Sequence, residues 1–115
     1  MEKVNFDGKR FGLLSNSKDG EVSTETTFEY KQNDGLVTAE YSGGKILHGR
    51  IIARQIANGN LKMVYNCLTA DGELKSGKAD AEVSIDNTGK VRLDLQWQWL
   101  DGDGETGRST YLEID

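Results

Sequence analysis

From Lys90 to Leu100 the chain alternates without a break, with Val91, Leu93, Leu95, Trp97 and Trp99 on one side and Arg92, Asp94, Gln96 and Gln98 on the other. A period of two sustained this long describes a β-strand with one face in the core and one in water. Strands of that kind belong to antiparallel sheets, because parallel sheets are covered on both faces. Glu21 to Lys31 repeats the pattern, with Val22, Thr24, Thr26, Phe28 and Tyr30 opposite Glu21, Ser23, Glu25, Thr27 and Glu29.

Between the alternating runs lie turn signals: Asp19-Gly20, Asn33-Asp34-Gly35, Gly43-Gly44, Asn58-Gly59-Asn60, Ala70-Asp71-Gly72, Asn87-Thr88-Gly89 and Asp101-Gly102-Asp103-Gly104. Asn, Asp and Gly accept the positive φ that tight hairpins need. These seven turns separate eight strands, expected over residues 9–15, 21–31, 36–42, 45–57, 61–69, 73–86, 90–100 and 106–114, with a ninth strand or tail over residues 1–6. Short connections enforce sequential up-and-down pairing, and a long meander removes its exposed edges by closing on itself. The expected fold is therefore all-β, an antiparallel up-and-down barrel of eight strands, nine with the N-terminal one, closed or nearly closed. A two-sheet sandwich competes, since its strand patterns look the same. The mid-strand glycine Gly49 predicts a bulge or a barrel corner, because glycine weakens a strand unless the backbone bends or is closely approached.

At 115 residues the chain makes one domain, 1–115, long enough to bury a core. A net charge of −5, with 14 basic residues scattered singly, gives no cluster to neutralise phosphates, so nucleic acid and anionic membranes are not expected partners. The opening MEKVNFDGKRF lacks the apolar segment of a signal peptide, and no run approaches a membrane-spanning length, so the expected location is the cytoplasm. The single cysteine, Cys67, excludes an internal disulfide and a Cys-rich zinc site. Its alternation with Leu61, Met63 and Tyr65 points it into the core as an inert thiol.

The phrases SNSKDGEVSTET after Phe11, EYSGGKILHG and WQW resemble a family of small bacterial barrel proteins, some of whose members carry the label N-acetylglutamate synthase. The resemblance spans nearly the whole chain and rests on strand and turn phrasing. An acyltransferase needs a cradle for the coenzyme A pyrophosphate, usually a glycine-bearing loop at a helix N-terminus, and this chain shows neither. The architecture also resembles the calycins, lipocalins among them, which implies an interior that holds apolar or amphipathic ligands. Two lipocalin-type features are missing: both tryptophans come late, and Arg108 and Tyr111 are three apart and face opposite ways, where fatty-acid-binding relatives place an Arg and a Tyr two apart.

Reactive constellations are sparse. His48 could serve as an axial haem ligand, although nothing else in the sequence asks for haem, and a histidine at the surface or barrel mouth accounts for it. Asp101 to Glu105 begins like a calcium loop, but Thr106 and Leu112 stand where the sixth-position glycine and twelfth-position glutamate should be. Glu25, Glu29, Glu40, Asp94 and Glu113 could pair for acid-base work or simply form the wet face of a sheet. No catalytic, metal or cofactor site is expected. The expected function is binding of a small apolar or amphipathic ligand without catalysis, with Trp97 and Trp99 lining the cavity and Tyr65, Tyr41 or Arg50 orienting the ligand's polar end. The alternative is a barrel filled by Trp97, Trp99, Tyr65, Tyr41, Tyr30 and Phe28 that acts as a protein-interaction module through its glycine-rich loops or an exposed edge strand.

Overall fold

The computed structural model describes residues 3–16 and 23–114. It contains eight strands: β1 (Arg10–Asn16), β2 (Thr27–Asn33), β3 (Leu36–Gly43), β4 (Ile46–Gln55), β5 (Leu61–Thr69), β6 (Leu74–Ile85), β7 (Val91–Trp99) and β8 (Thr106–Ile114). Each pairs antiparallel with its neighbour in sequence, and β1 pairs with β8, so the sheet closes into a barrel. The sandwich is excluded. Closure gives every strand a partner on both sides among the described residues, although β1 meets β2 only over Arg10–Gly12, so the exposed edge expected of an interaction module shrinks to the end of β1.

Alternation decides what enters the core. β7 buries Val91, Leu93, Leu95, Trp97 and Trp99, as its period of two requires. β5 turns Leu61, Met63, Cys67 and Thr69 inward, with Tyr65 partly buried among them. Hairpin geometry follows the turn residues: Asp34 takes a φ of 54° between the paired Asn33 and Leu36.

No strand forms over the described part of the N-terminal lead-in. Residues 3–9 instead seal one end of the barrel. Phe6 is fully buried beside Phe11 and Tyr30, with ring centroids 6.1 and 5.6 Å away. Its backbone N–H donates to Gln32 Oε1 at 2.8 Å, and Gln55 Nε2 donates to the Val4 carbonyl at 2.9 Å. Polar side chains thus satisfy backbone groups that a strand would have paired.

β2 begins later than the alternation suggests. Residues 21 and 22 lie outside the described residues, and residues 23–26 form a turn in which Glu25 N–H donates to Ser23 Oγ and Thr26 N–H to the Ser23 carbonyl. Ser and Thr offer the backbone these local partners in place of a ladder. Thr26 remains buried, its hydroxyl donating to the Gly43 carbonyl at 3.0 Å.

Two bulges break the alternation, both near the end opposite the Phe6 plug. On β4, Ile46 pairs with Thr69 and His48 with Leu68, so Leu47 is an extra residue. On β1, Leu13 pairs with Tyr111 and Ser15 with Thr110, which makes Leu14 the extra one. Bulges at barrel rims bend a strand and re-aim the side chains beyond them. The bulge expected at Gly49 therefore sits two residues earlier.

Candidate functional site

Strands β1, β3, β5 and β7 run toward the unplugged end, where their last residues meet the first residues of β2, β4, β6 and β8. In this half of the barrel the inward side chains enclose a cavity of about 40 Å³. Ile51, Met63 and Leu95 form its apolar floor, and Phe28, Tyr41, Trp97, Trp99 and Tyr111 form much of its wall.

The rings hold one another. Tyr41 stacks on Phe28 at 4.7 Å and an interplanar angle of 21°, and Tyr111 meets Phe28 edge-on at 4.9 Å. Tyr65 meets Trp99 edge-on at 5.6 Å, and Trp97 lies 5.9 Å from Trp99. Such offset and edge-on pairs stabilise beyond their area, because the ring edge is positive and the face negative. The Lys75 ammonium sits 4.5 Å over the Trp99 ring, a cation held by the same quadrupole at the cavity mouth.

Hydrogen bonds tie several of the polar atoms together. Trp97 Nε1–H donates to Ser109 Oγ at 2.7 Å, and the Ser109 hydroxyl donates to Asn16 Oδ1 at 2.5 Å. The Tyr41 hydroxyl donates to the Asn66 carbonyl at 3.2 Å. Burial raises the hydroxyl pKa of Tyr41 and Tyr65, with the Cys67 thiol and neighbouring tyrosines adding to it, and pushes Tyr111 up to about 12. These phenols stay protonated at neutral pH, so the site offers hydroxyl donors and acceptors but no phenolate.

Of the five residues named from sequence for ligand binding, Trp97, Trp99, Tyr65 and Tyr41 converge here. Arg50 does not join them. It lies exposed on the outer face, with Nη2 3.1 Å from Glu40 Oε1. The extra residue Leu47 breaks the phase of β4: Ile46, Gly49, Ile51 and Ala53 face inward, while His48, Arg50 and Ile52 face out. Glu29 and Asp94, weighed for acid-base work, are likewise outside, 3.9 Å from Arg10 and 3.0 Å from Arg92, while Glu113 lies partly buried at the plugged end, in register with Phe11 and 3.1 Å from Lys9.

Sequence reasoning missed Asn16, Ser109 and Tyr111, and it weighed Phe28 without placing it in the site. Ser109 and Tyr111 do share a face in the alternation of β8, which was a usable signal. Asn16 carried none. It reads as a turn former, and only the bulge at Leu14 puts it, rather than Ser15, opposite Ser109 on the inner face.

A family model described as an avidin-like protein matches residues 4–114. No curated protein and no solved structure matches the chain.

Proposed function

The chain belongs to the avidin-like protein family, and from that premise we propose that the open half of its barrel binds a small apolar or amphipathic ligand without acting on it chemically. The observation that carries this reading is the cavity at the unplugged end. It joins an aromatic wall to one convergent polar group, the Trp97–Ser109–Asn16 chain, which is the usual make-up of a small-molecule site.

The cavity volume limits the ligand. A water needs roughly 10–15 Å³ of such space, so about 40 Å³ holds a few atoms. Ligand pockets usually measure about 300–1,000 Å³. A larger ligand enters by displacing Tyr65, which is only partly buried, together with Lys75 above Trp99. The ligand's polar end then exchanges hydrogen bonds with Ser109 and Asn16, and its apolar part lies against Trp97 and Trp99.

The test is tryptophan emission during titration with short-chain acids and amides, long-chain fatty acids, acyl glycines and haem. Saturable change with at least one of these, lost in Trp99→Leu and strengthened in Tyr65→Ala, is the expected result. Unchanged emission across the panel in both the parent and Tyr65→Ala would remove the reading. The small cavity also favours a second reading, in which the interior serves as packing and the protein works through its outer wall.

A further inference from the structure

We propose that the outer wall of the barrel is a docking surface for an acidic, apolar-bearing segment of a partner protein. This rests on the second reading above and is independent of any ligand inside.

Two adjacent rungs of outward residues cross the wall. In one, Ile52 pairs with Val64 and Val64 with Lys78; in the other, Leu36 pairs with Arg54 and Arg54 with Lys62. Together with residues of β7 and β8 they line a broad depression of about 1110 Å³. Leu36, Ile52 and Val64, on its β3–β5 side, stand 49, 59 and 53% exposed, although outward strand positions are usually polar.

Charge identifies the occupant. The depression is lined by the cations Arg54, Lys62, Lys78 and Arg108 and a single carboxylate, Asp80. This local excess of three positive charges stands in a chain whose net charge is −5. A face that is basic and aliphatic complements a segment whose apolar side chains are flanked by carboxylates. Two copies meeting face to face would oppose like charges, and the one aromatic residue that lines this face, Trp97, is buried with its ring turned into the barrel, which leaves a nucleobase nothing to stack on. The strands beneath this face, β4 to β7, are paired on both sides, so docking there is through side chains.

The experiment titrates a short synthetic peptide alternating leucine with glutamate into the ¹⁵N-labelled full chain. Expected are saturable amide shifts at the residues of β3–β8 that line the depression, affinity that falls as salt is raised, and no binding by the leucine-lysine counterpart. Lys78→Glu, Arg54→Glu and Ile52→Asp should each weaken binding about tenfold or more, with melting unchanged because all three side chains point outward. Tryptophan emission should not move, which separates this surface from the cavity. Shifts gathered at the barrel mouth, equal binding of the leucine-lysine peptide or of oligo(dT), or a dimer in sedimentation that covers Ile52 and Val64 would overturn the proposal.

Discussion

At the scale of single residues, Gly49 and Gly77 show how tightly the open half is fitted. A Cβ on Gly49 would overlap the Tyr41 ring, and one on Gly77 would overlap the Tyr65 ring. The two rings differ in freedom. Tyr41 is buried, stacked on Phe28 and bonded to the Asn66 carbonyl, whereas Tyr65 is partly exposed. Gly49→Ala should therefore cost about 1–3 kcal/mol, the range for overpacking, and Gly77→Ala measurably less, as urea melts of the two variants would show. Ser109→Ala leaves Trp97 Nε1–H without its acceptor in a buried place, and should cost about 1–3 kcal/mol by the same measurement. The sequence marked Gly49 as a special position for a reason that half holds: the close approach is real, while the bend lies at Leu47.

At the scale of elements, β7 behaves as its pattern demands. Trp97 is 6% exposed, so Trp97→Ala should cost about 3–5 kcal/mol; an unaltered melting temperature would contradict its packing. The seam where β8 meets β1 and β7 depends on ionisation. Glu113 accepts the Val91 N–H at 3.0 Å and pairs with Lys9 at 3.1 Å. The Val91 hydrogen bond, helped by Lys9, holds the Glu113 carboxyl below its ordinary value of 4.5 against the opposing cost of burial. A carboxylate whose pKa is lowered on folding contributes stability that is present above its unfolded value and is lost as pH falls through its folded one. The stability difference between the parent and Glu113→Gln should therefore be constant near neutrality and shrink below about pH 4.5 in denaturant melts at stepped pH.

At the scale of the whole molecule, closure joins the first strand to the last, since Arg10 pairs with Ile114. Deleting β8 would expose β1 and β7 as edges with unpaired backbone groups. Such a truncation should lose the cooperative melt and aggregate, which light scattering would detect, while the intact chain should unfold with coincident fluorescence and circular-dichroism transitions. The sequence alone determined the strands, their up-and-down order and most of the inward set, including Trp97, Trp99 and Cys67, while the pairing of β1 with β8 decided for a closed wall over a sandwich. Alternation and turn chemistry are local properties, and short hairpins allow only one pairing order. Tertiary structure alone decided that Arg50 faces out and Asn16 faces in, that Ser109 and Tyr111 belong to the site, and that the rings leave only about 40 Å³ between them. Those outcomes depend on two single-residue bulges and on rings meeting across the barrel from distant strands, and no periodicity within one strand records either.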